Sequence, residues 1–230
     1  IVVAPTGVAA INAGGVTMHS FFQLPFGPYV ANAPRGFGMN ENLVDKNTLL
    51  NNLKFGNNKR TLIQELELLI IDEVSMLRSD MLDAMDTILR VIRKRNKPFG
   101  GVQVLFIGDL YQLPPVVKDT EAPIFNTYYK SPFFFHAKVF EQTQPVFIEL
   151  KKIYRQNEQK FIDLLNNLRN NELIHSDFEL LNSRYNPNFK PTDHKYITLT
   201  SHNHKADAIN KAELDKLPQK LFEYRGAIKG

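Results

Sequence analysis

Apolar and polar positions along this chain fall into blocks whose period switches between that of a strand and that of a helix. Ile1-Val2-Val3-Ala4 is a short buried-strand run. Pro5-Thr6-Gly7 breaks it, and Val8-Ala9-Ala10-Ile11-Asn12 starts a helix that Gly14-Gly15 ends. Leu62 to Leu66 leads as a short helix into Leu68-Leu69-Ile70-Ile71, an apolar run that stops at Asp72-Glu73. Met81, Leu82, Met85, Ile88, Leu89 and Ile92 recur at helical spacing, with Ser79 or Asp80 as the N-terminal cap. Pro98-Phe99-Gly100-Gly101 turns the chain into Val102 to Ile107, a strand that ends in Gly108-Asp109, and Val146 to Leu150 reads as another. Phe161, Leu164, Leu165 and Leu168 mark an amphipathic helix. Tyr185 to Lys195, with Pro187 and Pro191, reads as a linker before a strand over Tyr196 to Thr200 and a helix over His204 to Leu217. Continuous apolar strands alternating with helices predict an α/β fold, a mostly parallel sheet with helices on both faces.

One stretch departs from this rhythm. Leu24 to Arg60 holds three prolines, four glycines and many asparagines, and only Leu43 to Leu53 shows the pattern of a short helix. An irregular segment of that length between two core strands predicts a small inserted subdomain or a functional flap, against a surface insertion with no role.

Composition narrows the class. At 230 residues and 43% hydrophobic, the chain can bury a substantial core. It has no cysteine, which excludes disulfides, cysteine zinc sites and thiol catalysis and fits a reducing compartment. No apolar run approaches the roughly 20 residues that span a bilayer. The net charge of +4 permits a nucleic-acid partner without arguing for one.

The candidate chemistry lies at strand ends, where open α/β sheets bind ligands. Asp72 and Glu73 follow an apolar strand, where an acid can help hold Mg²⁺ and a neighbour can deprotonate water. An ordinary Asp/Glu turn is the plain alternative. Gln112, in Gly108-Asp109-Leu110-Tyr111-Gln112-Leu113-Pro114-Pro115, offers an amide able to bond both a phosphate oxygen and a water, with Asp109 in support. An Asx turn before a rigid proline loop accounts for the same residues. Backbone N–H groups after the first strand, at Pro5-Thr6-Gly7, suit phosphate. Thr17-Met18-His19-Ser20-Phe21-Phe22 mixes hydroxyls, an imidazole and aromatics, as single-strand binding by stacking requires, although Phe21 and Phe22 fit a core equally well. The cations Arg90, Arg93, Lys94, Arg95 and Lys97 are expected to form a solvated C-terminal helix turn.

In order, these pieces resemble the Pif family of 5′-to-3′ DNA helicases of superfamily one, subgroup B. Ala4-Pro5-Thr6-Gly7-Val8-Ala9-Ala10 resembles helicase motif Ia, and Thr17 to Phe22 resembles the DNA-contacting motif after it. Ile71-Asp72-Glu73-Val74-Ser75-Met76 resembles motif II, Gly108-Asp109 with Gln112 to Val116 motif III, and Leu150 with Tyr154-Arg155-Gln156 motif IV. Met81 through Gly101 resembles the segment that separates this family from RecD- and Dda-like relatives. The resemblance implies a RecA-like P-loop NTPase fold that uses ATP and Mg²⁺. Asp72 would hold Mg²⁺, Glu73 would be the catalytic base, Gln112 would couple the γ-phosphate to DNA-contacting loops, Asp109 would support the nucleotide site, and Arg155 would act as an arginine finger. Pro5, Thr6, Gly7, His19, Ser20 and Phe22 would line the path of single-stranded DNA. Residues 1–24 and 61–190 would form the first RecA-like domain, 25–60 a wedge that parts a forked duplex, and 191–230 a linker and the start of a second RecA-like domain. The implied protein is an intracellular monomer, with no membrane partner, in the bacterial cytoplasm or in a nucleus or mitochondrion.

The chain departs from the family pattern in one motif and in length. No Gly-x-x-x-x-Gly-Lys-Ser/Thr phosphate loop occurs in it, and it stops before a second RecA-like domain is complete. The expectation is therefore that the 230-residue polypeptide alone neither hydrolyses ATP nor unwinds DNA. The competing readings are a non-enzymatic fragment that binds single-stranded nucleic acid, an inactive remnant, and a RecD-like or relaxase-linked helicase.

Overall fold

A computed structural model describes residues 1–33, 43–189, 196–219, 222 and 226. The chain divides into two compact units, Ile1–Asn157 and Glu158–Gly230. The first contains β1 (Val2–Ala4), α1 (Gly7–Asn12), β2 (Val16–Thr17), α2 (Met18–Phe22), α3 (Lys46–Asn51), α4 (Asn57–Glu65), β3 (Leu68–Ile71), α5 (Ser79–Arg93), β4 (Gln103–Phe106) and α6 (Ala122–Tyr128). Its four strands form one parallel sheet in the order β2-β1-β3-β4. Leu69 and Ile71 point from β3 into the main core, where the expected apolar stripe of α5 is buried against them. Gly15 lets the chain re-enter the sheet beside β1, because a Cβ there would meet the Val2 carbonyl oxygen at 2.4 Å.

Three aspartates on α5 tie separate segments to it. Asp80 accepts the Tyr29 N–H at 3.0 Å, Asp83 accepts those of Lys138 and Val139 at 2.9 and 3.0 Å, and Asp86 accepts that of Phe99 at 2.6 Å. All three are buried. Asp80 is also paired with Arg78, which reaches Glu121 with its other nitrogen, each at 2.7 Å. Neither Ser79 nor Asp80 is the expected cap. The N-cap position falls on Arg78, while the Ser79 hydroxyl donates to the Ser131 carbonyl and Asp80 is taken up by Tyr29 and Arg78. The described part of the insertion is anchored rather than loose. The Tyr29 hydroxyl meets Thr87 on α5 at 2.8 Å, and the Val30 N–H donates to the Val44 carbonyl within the insertion at 2.9 Å. Residues 34–42, the middle of the expected wedge, lie outside the described residues.

The basic end of α5 is more than a solvated turn. Arg93 donates through Nε to the Gly100 carbonyl at 2.9 Å and through Nη1 to the carbonyls of Ile63, Gln64 and Leu66 at 2.7–2.9 Å. One guanidinium thus satisfies the orphan carbonyls that end α4. Gly100, at φ +61°, packs so closely on the Leu89 carbonyl that a Cβ would come within 2.7 Å of its oxygen. Arg90 is paired with Asp86.

Two expected strands are absent. Val146, Phe147, Ile148 and Leu150 are 78–89% exposed and irregular. An apolar run becomes a strand only when a neighbouring edge takes its backbone groups, and no described strand pairs with this one. Tyr196 to Thr200 is likewise irregular, and residues 190–195 of the expected linker lie outside the described residues. The second unit contains α7 (Gln159–Asn170), which carries the expected amphipathic pattern, α8 (His175–Asn182) and α9 (Asn203–Leu214). Among the described residues no helix is long and apolar enough to cross a membrane.

Two measurements check this construction. Hydrogen bonds to a charged donor contribute about 1.5–3 kcal/mol each, so Arg93→Ala should lower the urea-derived stability by about 2–4 kcal/mol, and Arg93→Lys should recover less than half of it. An Arg93→Ala protein as stable as the parent would show that these contacts carry no weight. The second concerns Asp83, whose carboxyl burial pushes up from 3.8 to about 6, against the pull of the Lys138 and Val139 N–H groups. The folded chain then holds this proton more tightly than the unfolded chain. Asp83 therefore favours folding most at low pH, and that contribution is lost as pH rises through about 6. Its ceiling is roughly 3 kcal/mol. Stability should fall more steeply between pH 4 and 7.5 in the parent than in Asp83→Asn; parallel curves would contradict the assignment.

Candidate functional site

Because all four strands run parallel, their carboxyl ends share one edge. β1 delivers Pro5, Thr6 and Gly7 there, β2 delivers His19 and Ser20, β3 delivers Asp72 and Glu73, and β4 delivers Gly108, Asp109 and Gln112. Thr6 caps α1, accepting the Ala9 N–H at 3.2 Å, and Thr17 caps α2, accepting that of Ser20 at 3.3 Å. Gly7 and Ser20 are exposed at the starts of these helices.

The Asp72–Glu73 turn is clamped from both sides. The Asp72 N–H donates to the Val3 carbonyl of β1, and the Val74 N–H donates to the Ile107 carbonyl beyond β4, both at 2.9 Å. The Asp72 carboxylate accepts the Glu73 N–H at 3.0 Å. Glu73 has φ +51° and ψ +45°, the left-handed region, which costs a non-glycine residue about 1–2 kcal/mol. Strain of this kind persists where the surroundings over-determine it, and it clusters at functional sites. Gly108 makes the clamp possible, since a Cβ there would lie 2.8 Å from the Val74 nitrogen.

Asp109 and Gln112 sit just beyond β4. The Asp109 carboxylate accepts the Tyr111 N–H at 3.1 Å and its carbonyl accepts the Gln112 N–H at 3.0 Å, an Asx-type turn that leaves Gln112 exposed. Arg155 is not brought to this edge by a strand. The Val146–Leu150 strand that was to carry it does not form, and Arg155 lies in an irregular, exposed segment.

A crevice of about 220 Å³ opens beside the edge, with Pro5, Thr6, Pro114 and Val116 in its lining. His19 and Arg78 also line it. Burial lowers the His19 pKa, and the nearby Arg78 charge adds to the effect, so the imidazole is neutral at neutral pH. Phe22 does not line the path expected of it. Its side chain is 0% exposed and belongs to the core with Phe21, whose ring also carries the Lys59 ammonium at 3.2 Å. Adjacent residues at the end of a short helix packed on a sheet both turn inward here. The sequence marks Gly108 only as part of a strand end and a motif, and gives no sign of Arg78 or Phe26. Gly108 stands directly before the Asp109 read as chemical, while Phe26, between prolines, reads as the start of the insertion.

Comparison with known proteins points to one family. The family model described as PIF1-like helicase matches residues 1–179 of the 230. The ATP-dependent DNA helicase PIF1 of Saccharomyces cerevisiae is 36% identical over 151 residues, 66% of this chain and 15% of that protein. The human ATP-dependent DNA helicase PIF1 is 33% identical over 157 residues, 66% of this chain and 20% of its own length. A crystal structure of Pif1 helicase from Bacteroides in complex with ADP-AlF3 and ssDNA superimposes with a TM-score of 0.82 at 41% identity, covering 96% of this chain and 48% of that one. Another Bacteroides structure, of Pif1 bound to ssDNA, gives 0.79 at 43% identity, again over 96% of this chain. The chain thus spans about half the length of the solved relatives and a smaller share of the curated ones. With the family model matched over 179 of 230 residues and the parallel α/β sheet shared with these structures, this chain belongs to the PIF1-like helicase family.

Proposed function

We propose that this chain forms part of an ATP-dependent DNA helicase in which one sheet edge handles both nucleotide and single strand. The observation that carries the proposal is the clamped Asp72–Glu73 turn, with Glu73 held in a strained conformation at the same edge as Thr6, His19 and Gln112. Membership of a family whose relatives are named ATP-dependent DNA helicases supports it. Support also comes from the Bacteroides structure with ADP-AlF3 and ssDNA.

In this reading Glu73 is the base that takes a proton from the attacking water. Asp72, one oxygen of which is engaged by the Glu73 N–H, would hold Mg²⁺. The adjacent carboxylates fit that ion, which binds through one or two carboxylates and completes its shell with water and nucleotide phosphates. Mg²⁺ would supply charge neutralisation at the phosphates. Gln112 senses the γ-phosphate from the next strand end, with Asp109 shaping its turn. Arg155 is assigned the arginine-finger role, reached from its irregular segment. Pro5, Thr6, Gly7, His19 and Ser20 contact the single strand, and the insertion acts on the forked duplex. Residues 1–24 and 61–190 are assigned to the first ATPase domain, a later boundary than the division into compact units after Asn157, with 25–60 as the wedge and 191–230 as the approach to a second RecA-like domain.

General base catalysis contributes about 10²–10⁴-fold. In protein expressed from the complete reading frame, Glu73→Gln should lower single-turnover ATP hydrolysis in the presence of single-stranded DNA by at least about 100-fold. Oligonucleotide affinity, read by fluorescence anisotropy, should stay within about twofold. Undiminished hydrolysis in Glu73→Gln would remove Glu73 from the chemistry. Oligonucleotide binding that is strong, but with no hydrolysis in either protein, would favour the non-enzymatic binding module.

A further inference from the structure

The stacking role expected of Phe21 and Phe22 is open to neither, since both are core. An aromatic close to them that the fold leaves bare is Phe26, which is 91% exposed. Its ring lies nearly parallel to that of His19, 14° between planes and 6.1 Å between centroids. Both rings line the crevice beside the sheet edge, as do Met18, Met76 and Met81. Little in this lining would hold a phosphate. His19 is neutral at neutral pH, and the Arg78 guanidinium is engaged by Asp80 and Glu121 at 2.7 Å each. A crevice whose cation, Arg78, is already paired, and whose lining includes aromatic rings and polarisable thioethers, suits a flat, aromatic guest. Groups suited to phosphate lie outside it, at the exposed Gly7 and Ser20.

We infer that this crevice is a base-stacking subsite in which one nucleobase of the single strand lies on the Phe26 ring, backed by His19, with its phosphates left outside. The inference rests on the single-strand-binding reading above and assigns to Phe26 the contact that Phe22 cannot make. Stacking on one aromatic is sequence-tolerant, because every base has a π face.

The test uses oligonucleotides carrying 2-aminopurine at successive positions, titrated at low salt into the 230-residue chain, Phe26→Ala and Phe26→Trp. Phe26 is exposed, so its replacement should leave the thermal midpoint unchanged. The inference expects fluorescence quenching at one position. Phe26→Ala should abolish that quenching and weaken binding by about 5- to 100-fold, whereas Phe26→Trp should keep both. An abasic site at the same position should weaken binding to the parent by a similar factor and leave Phe26→Ala unaffected. Parent-like binding and quenching by Phe26→Ala would overturn the subsite while leaving single-strand binding intact. Absence of any oligonucleotide binding by the parent would instead overturn the reading on which the inference rests.

Discussion

Two backbone hydrogen bonds hold the centre of this molecule in place. The Asp72 N–H reaches into β1 and the Val74 N–H reaches the carbonyl beyond β4, so the turn between them is stretched across two strand ends. That span leaves Glu73 one backbone conformation, and it is a left-handed one. Gly108 is the condition for it, since any side chain at that position would push Val74 away. The carboxylate pair is therefore positioned by the sheet itself and not by loop flexibility, which is what preorganised proton transfer requires.

α5 extends this rigidity to the rest of the first unit. Its apolar face packs on β3, and three buried aspartates catch the N–H groups of Tyr29, Lys138, Val139 and Phe99. Each carboxylate costs desolvation, visible in the raised pKa values of Asp83 and Asp86. Each returns charge-assisted bonds that fix one irregular segment against the helix. Asp80 links the insertion to Arg78, which stands two residues after Met76 and lines the crevice with His19. The insertion's described portion and the strand-end turn are thus fastened to the same helix.

Much of this was legible in the chain. The strands at Val2–Ala4, Leu68–Ile71 and Gln103–Phe106 and the stripe of α5 follow from unbroken apolar runs and helical spacing, both local signals. Asp72, Glu73, Asp109, Gln112, Thr6 and His19 reach one edge because parallel topology sends every strand end there. What was not legible depends on partners distant in sequence. Val146–Leu150 has the composition of a strand, but no described strand pairs with it. Phe22 has the chemistry of a stacking residue but the burial of a core one, while Phe26, in a proline-rich loop, is exposed. Arg93 looks like solvated charge, and Asp80 like a helix cap, until the carbonyls and the N–H group they serve are brought beside them.

The central claim is that one sheet edge serves both nucleotide and single strand. Hydrogen exchange by mass spectrometry, on protein expressed from the complete reading frame, tests it most directly. ADP with aluminium fluoride should protect the backbone from Asp72 to Met76 and from Gly108 to Gln112. A single-stranded oligonucleotide alone should protect Thr6 to Ala10 and Val16 to Phe22. Protection of neither pair of segments, with both ligands shown to bind, would place the chemistry elsewhere and contradict the account.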